Sequence, residues 1–369
     1  MNNLCYIISD VNSSRNFEWT LLELKKDFPL SVILLNKKKE ESRMKQFLSH
    51  NLIPFVEINY SGKLSLLNAV FRISAFLLRK RIGIVHCHLF EASLAGLIAA
   101  KLVFVKTRIY TRHNSTINLL YYPHAVKYDK LINKLATKIV SISDVVSEVL
   151  IKHEFVKEEK LIKIHHGFDF NEIKELAGKK NEIRLKYNIP QNQKIIGVVS
   201  RYIEYKGLQY SIPAIIDYVK ENGGFIVLAN ASGPYKNKVS ELLKSLDKSH
   251  YIEIEFEENP YALFANFDVF VHTPIHKNDE AFGQVYIEAM FLGIPVITTL
   301  TGIVNEFSSD KKYFYPVLYK NSVEIKDALV SVLNNQTALP VIGNAKTYVR
   351  DHFTLNKMSH QLNKLYSCK

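Results

Sequence analysis

Cysteine is scarce in this chain. Its three residues, Cys5, Cys87 and Cys368, are odd in number and show no C-x-x-C spacing. That excludes a disulfide framework, a zinc knuckle and a thioredoxin-like redox motif. Glycine (14) and proline (11) are too few among 369 residues for a low-complexity or collagen-like chain. No apolar run approaches the ~18 residues that a membrane-crossing helix needs. The start, Met1-Asn2-Asn3-Leu4-Cys5-Tyr6-Ile7-Ile8-Ser9-Asp10, lacks a basic leader and reads as a first strand, not a signal peptide. A cytoplasmic location is therefore expected. G-x-S-x-G, Walker A and G-x-G-x-x-G are all missing, which removes the usual hydrolase, P-loop and dinucleotide fingerprints. Asp-x-Asp is missing too, so no metal–diphosphate clamp is evident and no metal is expected. Basic residues exceed acidic ones by 48 − 36 = 12, yet no run reaches five. Without helix-turn-helix, zinc-finger or RNP signatures, no nucleic-acid partner is expected. The excess suits phosphate-bearing substrates or an anionic membrane surface.

What is present is a core-forming composition, 47% hydrophobic and 23% charged. At about 150 residues per domain, the length predicts two domains. Short β-branched runs alternate with longer amphipathic stretches. Strands are predicted at 4–9, 31–35, 53–58, 84–88, 108–111, 138–143 and 161–165. Helices are predicted at 17–28, 64–81, 92–103, 126–136 and 145–153. Residues 166–193 are polar and break this rhythm. It restarts with strands at 194–200, 225–229, 251–256, 268–272 and 294–298. This βαβα order predicts an α/β chain of two doubly wound domains with parallel sheets. The expected division is 1–170, 171–345 and a helical tail, 346–369. In such sheets ligands bind outside the carboxyl ends of the strands, so a site in a cleft facing both domains is expected.

The strongest chemical signal runs from Asp268-Val269-Phe270-Val271-His272 through Glu280-Ala281-Phe282-Gly283-Gln284 to Glu288 and Gly293-Ile294-Pro295-Val296-Ile297. A strand ends, Glu280 sits in the loop, and a helix starts near Gly283 with Glu288 one turn past Gln284. Glycine allows close backbone approach, free N–H groups at a helix start hold oxygens, and carboxylates accept hydrogen bonds from paired sugar hydroxyls. The plainer alternative is an ordinary acidic helix N-terminus. The second signal is Gly197-Val198-Val199-Ser200-Arg201 followed by Lys206-Gly207. Two cations at the carboxyl edge of a sheet suit a diphosphate, although a surface arginine and a helix-start lysine would look the same. The third is His113, after a first-domain strand, which is either a substrate contact or a structural histidine. His86 and His88 flank Cys87, but alternation puts Cys87 on the opposite face, which disfavours a metal site. His165-His166-Gly167 reads as a hinge.

Taken together, these residues resemble a glycosyltransferase of family 4 with the GT-B fold. The resemblance also rests on Val85-His86-Cys87-His88, Ala92-Ser93-Leu94-Ala95-Gly96-Leu97, Arg112-His113, Ile142-Ser143 and His166-Gly167-Phe168-Asp169. It implies retaining, metal-independent transfer from a nucleotide-diphosphate sugar to a glycan or lipid-linked acceptor in envelope polysaccharide assembly. It implies Arg201 and Lys206 on the diphosphate, Glu280 and the Phe282–Gln284 backbone on the sugar, Glu288 on the ribose and His113 near the transferred sugar. It also implies a last helix crossing back to the first domain. Two departures stand out. The loop Asp10-Val11-Asn12-Ser13-Ser14-Arg15-Asn16 lacks the usual glycines, leaving Asn12 or Ser13 to face the donor, and Ala281 replaces a glycine. Rival readings are a nucleotide-sugar 2-epimerase and a non-catalytic basic membrane- or glycan-binding protein. Finally, Lys63–Arg81 predicts an apolar helix flanked or interrupted by Lys63, Arg72, Arg79, Lys80 and Arg81, suited to the inner face of the plasma membrane.

Overall fold

The computed structural model describes residues 3–37, 42–307, 312–334 and 338–367. Cys368 and the side chain of Lys63 lie outside this description. The chain divides into two compact units, Met1–Phe168 with Leu355–Lys369, and Asp169–Thr354.

In the first unit, β1 (Asn3–Ser9), β2 (Leu30–Asn36), β3 (Phe55–Asn59), β4 (Ile82–His88), β5 (Thr107–Arg112), β6 (Lys138–Ser141) and β7 (Leu161–Lys163) form one sheet. Their order is β3-β2-β1-β4-β5-β6-β7, and every pairing is parallel. Strands covered on both faces explain the near-continuous apolar runs that the sequence shows. The connecting helices are α1 (Arg15–Asp27), α2 (Arg43–His50), α3 (Lys63–Arg79), α4 (Phe90–Leu102), α5 (Ile117–Leu120), α6 (Val126–Leu135) and α7 (Asp144–Lys152). Ser14, Ser42 and Ser143 cap α1, α2 and α7 by accepting a backbone N–H. Helix α2 was not predicted, because its eight residues bury only Met44 and Leu48, too few to set a period.

Helix α3 packs along α4. It buries Ala69, Val70, Ile73, Phe76 and Leu77, and leaves Leu64, Leu67, Phe71 and Leu78 exposed.

The second unit repeats the plan with β8 (Ile195–Val199), β9 (Phe225–Ala229), β10 (Tyr251–Ile254), β11 (Val269–His272), β12 (Val296–Thr298) and β13 (Tyr315–Pro316). The sheet order is β10-β9-β8-β11-β12-β13, again parallel throughout. Its helices are α8 (Phe170–Ala177), α9 (Lys180–Lys186), α10 (Leu208–Asn222), α11 (Lys236–Leu243), α12 (Pro260–Phe264), α13 (Gln284–Phe291), α14 (Ser322–Asn334) and α15 (Ala338–His352). The polar stretch read as a break thus holds two short helices, each burying only one or two side chains.

The expected tail divides. Residues 346–354 stay with the second unit, where α15 packs on α13 and Tyr348 and Phe353 join Phe307 in an aromatic cluster. The last helix, α16 (Leu355–Ser367), belongs to the first unit and buries Met358, Leu362, Leu365 and Tyr366 in its core.

Candidate active site

In the second unit the strand order reverses between β8 and β11, since β9 and β10 lie beyond one and β12 and β13 beyond the other. The crevice outside the carboxyl ends of such a strand pair is where this class of sheet binds ligands. Buried Ser200 and exposed Arg201 follow β8, and Arg201 makes no side-chain hydrogen bond or ion pair among the described residues. A short turn over Glu204–Lys206 leads into Gly207, whose φ is +78°. A Cβ at Gly207 would fall 1.9 Å from the Thr273 carbonyl oxygen. The loops after β8 and β11 therefore touch backbone to backbone, as the Ile275 N–H donating to the Tyr205 carbonyl at 3.1 Å also shows.

That contact brings Lys206 to Glu280. The Lys206 ammonium pairs with Glu280 Oε1, and His272 Nε2 lies 2.7 Å from the same oxygen. Burial alone would push the Glu280 carboxyl up, but Lys206 and the His272 bond outweigh it and bring it down to about 2. The carboxylate is therefore ionised at neutral pH. The Glu280 N–H donates to Thr301 Oγ1 at 3.2 Å, and the Thr301 hydroxyl donates to the Lys277 carbonyl at 2.9 Å. Lys206, expected on the diphosphate, is thus engaged with the neighbouring carboxylate.

Helix α13 starts without a side-chain cap. Gly283 has φ +85°, and a Cβ there would meet the Tyr286 ring at 2.4 Å, so glycine is required on both counts. Gln284 is partly exposed. The Phe282 ring is buried edge-on against Phe353, 5.9 Å between centroids, and its carbonyl accepts the Ile303 N–H at 2.9 Å. The Phe282 ring is therefore closed to a ligand. Glu288, on the same helix, is pushed up to about 7 by burial, against a hydrogen bond from Tyr261 that lowers it. Reading the sequence missed two groups. His272 closes β11 at 3% exposure, and Asp279 is buried with no partner for Oδ2, its carboxyl raised to about 6 by burial. The adjacent acidic pair Asp279–Glu280 was the available signal for the second.

In the first unit the order reverses between β1 and β4, where β4 ends in His86-Cys87-His88. Cys87 does face away from the two histidines, beside Gly96, and Cys5 and Cys87 are both buried and unpaired. His86 bonds Tyr366 OH through Nδ1 at 2.6 Å and Thr111 Oγ1 through Nε2 at 2.8 Å, and Tyr366 OH also lies 2.6 Å from Tyr6 OH. His88 Nδ1 is 3.1 Å from His113 Nε2, and His113 stacks on His166 at 5.6 Å. Burial depresses these histidines: His113 to about 4, His86 and His166 to about 3, and His88 well below its usual value. A neutral His113 can exchange hydrogen bonds but supplies no charge at pH 7. It lines a cavity of about 230 Å³ with Leu89, Phe90, Ser93 and Asn114.

The residue before His113 anchors its loop. Arg112 is 4% exposed and pairs with Asp129 and Glu154 at 2.7 Å each, while its Nε donates to the Asn114 carbonyl at 3.1 Å. His166, expected in a hinge, is buried on His113. Gly167 is fixed by Asn16, which donates to its carbonyl at 3.1 Å. In the glycine-poor first loop, Asn12 Oδ1 accepts the Arg43 N–H at 3.3 Å, which ties Asn12 to the start of α2, and Ser13 is exposed. Among the described residues, no group of three or more His, Cys, Asp or Glu is arranged to hold a metal ion.

Comparison with known proteins gives these sites a family. Residues 25–172 match the family model described as Glycosyltransferase Family 4, and residues 179–348 that described as Glycosyl transferases group 1. The chain is 26% identical over 287 residues to the capsular polysaccharide biosynthesis glycosyltransferase CapM of Staphylococcus aureus, covering 75% of this chain and 74% of that protein. It is 25% identical over 296 residues to the O-antigen biosynthesis glycosyltransferase WclY of Escherichia coli, covering 78% and 80%. Anabaena Alr3699/HepE, solved in complex with UDP and glucose, superposes with a TM-score of 0.83 at 17% identity over 100% of both chains, a likeness of fold. With this GT-B architecture and two family matches that together span most of its length, the chain belongs to the family 4-type glycosyltransferases.

Proposed function

We propose that the protein transfers a hexose, with retention, from a nucleotide-diphosphate sugar to a glycan or lipid-linked acceptor in capsule, O-antigen or lipopolysaccharide assembly. The observation that carries this reading is Glu280: a buried, ionised carboxylate held through one oxygen, between the loop that bears Arg201 and Lys206 and the uncapped start of α13. The names of the capsular and O-antigen relatives support the pathway class. Arg201 and Lys206 take the diphosphate, Lys206 leaving Glu280 to do so. Glu280 and the backbone of Phe282–Gln284 take the sugar hydroxyls, Glu288 takes the ribose, and neutral His113 bonds the transferred sugar. The bond from C1 to the diphosphate oxygen breaks, the bond from C1 to the acceptor oxygen forms on the same face, and the acceptor proton passes to the leaving diphosphate. The two cations stabilise charge that grows on the leaving group, which does the work asked of a metal elsewhere.

The test is a panel of nucleotide sugars incubated with the protein and candidate acceptors, with free nucleoside diphosphate and glycosylated product as readouts. An epimerase would alter the donor sugar without product, and a binding protein would do neither. Glu280→Gln should abolish most transfer while nucleoside-diphosphate affinity survives. Loss of that affinity would move Glu280 off the sugar.

The acceptor reading extends to a membrane. Helix α3 turns Leu64, Leu67, Phe71 and Leu78 to solvent at 59–84% exposure, and Phe104, beyond α4, is 87% exposed. Arg72, Arg79, Lys80 and Arg81 are exposed beside them. An apolar stripe edged by cations fits an anionic bilayer surface. No helix among the described residues is long and apolar enough to cross a membrane.

A further inference from the structure

We infer that His272 is a positioning residue that aims Glu280 at the donor sugar and holds it there when Lys206 leaves for the diphosphate. This rests on the role proposed above for Glu280, but the geometry stands apart from it. Glu280 is ionised and can only accept, so His272 must carry its proton on Nε2 and donate it to Oε1. The ring cannot drift. It closes β11 at 3% exposure, parallel to Phe270 at 6.0 Å and edge-on to Tyr286 at 5.2 Å.

Both donors, Lys206 and His272, use the same oxygen. Oε2 has no partner among the described residues and is not a buried orphan, so it is the oxygen left open to a ligand. The two donors differ in mobility. Lys206 is a flexible cation, 16% exposed, on the loop that also carries Arg201, and an arriving diphosphate competes for it. His272 sits on a strand end within the core. Once Lys206 shifts, the His272 bond is the one that still turns the buried carboxylate and favours its charged form. A hydrogen bond to a charged group is worth more than a neutral one, and losing it leaves the buried partner exposed to its full desolvation cost.

The experiment compares His272→Gln with His272→Asn. The glutamine amide nitrogen stands near the position of Nε2 and can reach Oε1, whereas the shorter asparagine amide stands near Nδ1 and falls short. Both place an amide at the same buried site, so a merely structural role would treat them alike. The asparagine variant should lose about 10- to 100-fold in kcat, the scale of one hydrogen bond to a charged group. Its nucleoside-diphosphate affinity should stay within about twofold, and glutamine should recover kcat to within about threefold. Equal losses in the two variants, or affinity falling in step with kcat, would overturn the assignment. A readout independent of transfer is the acid limb of stability. Glu280, depressed from 4.5 to about 2, contributes stability that is present above 4.5 and lost as pH falls toward 2. Both variants lack the buried ring's own depressed titration, so the comparison is between them: without the His272 bond the Glu280 value rises, and urea midpoints below pH 4.5 should show a smaller loss, ending at a higher pH, in asparagine than in glutamine. If no donor is ever turned over, that difference still upholds the positioning bond while the transferase reading fails. If the two limbs coincide, the bond is not there.

Discussion

At the scale of single residues, charge and burial set the expected outcomes. Arg201 is exposed at the end of β8, so Arg201→Ala should fold normally and reduce turnover by about 10²–10³, the cost of losing one preorganised charge stabiliser. Lys206→Ala should reduce turnover similarly but also destabilise, because it strips a cation from a buried carboxylate. That penalty should be complete at pH 7 and shrink as pH falls from 4.5 toward about 2, where Glu280 becomes neutral. Urea unfolding across that range measures it, and near-normal turnover in both variants would remove the diphosphate clamp. Glu288 has the opposite sign. Its folded value is raised to about 7, so the stability it contributes is complete below 4.5 and lost as pH rises through 7. Glu288→Gln should therefore raise Tm at pH 8, with little change at pH 4, while weakening nucleoside-diphosphate binding by about tenfold. A stability gain paired with an affinity loss marks a carboxylate kept for a ligand. Unchanged affinity would contradict the ribose assignment.

At the scale of elements, α3 shows where sequence periodicity stops being informative. The sequence supplies eleven apolar positions across this helix, more than one face needs, but only packing against α4 and the sheet selects which are covered. Four large apolar side chains remain in solvent beside exposed arginines and Lys80. The expected outcome is salt-sensitive flotation with anionic liposomes at low ionic strength, each cation near the surface adding about 1 kcal/mol, and little flotation with neutral ones. Leu67→Ser with Phe71→Ser should abolish it without loss of secondary structure. Absence of binding to both lipids at low salt would leave the stripe without this role.

At the scale of the whole molecule, the two units should answer acid differently. His86, His113 and His166 have folded values of about 3 to 4 against 6.5 when unfolded. The unfolded chain therefore binds more protons in that window, and the first unit loses stability as pH falls from 6.5 toward 4. Over the same range Glu288 contributes in the other direction in the second unit. Hydrogen exchange at stepped pH should show β1, β4 and α16 losing protection before β8 and β11. Simultaneous loss would mean that the histidine cluster does not control the acid response. Transfer should survive EDTA, since Arg201 and Lys206 occupy the place of a metal in the proposed chemistry. Loss of activity restored by Mg²⁺ or Mn²⁺ would show a metal role that these two cations do not fill.

The sequence by itself determined the parallel α/β plan, because strands covered on both faces must be apolar along their length and the helices between them amphipathic. It also determined that Glu280 lies in a loop and Glu288 one turn into a helix, because Gly283 and the apolar period after it mark the helix start. Short elements such as α2, α8 and α9 were not legible, since one or two buried side chains set no period. Only the tertiary structure decided that Lys206 and His272 share one oxygen of Glu280, a meeting of residues 74 and 8 positions apart in the chain that depends on two loops touching at Gly207 and Thr273. Likewise, nothing local in Tyr366 foretells its bond to His86, 280 residues away. Periodicity encodes which face of an element is covered, whereas long-range pairing depends on how strands of distant sequence are ordered in the sheet, and that ordering is settled by packing.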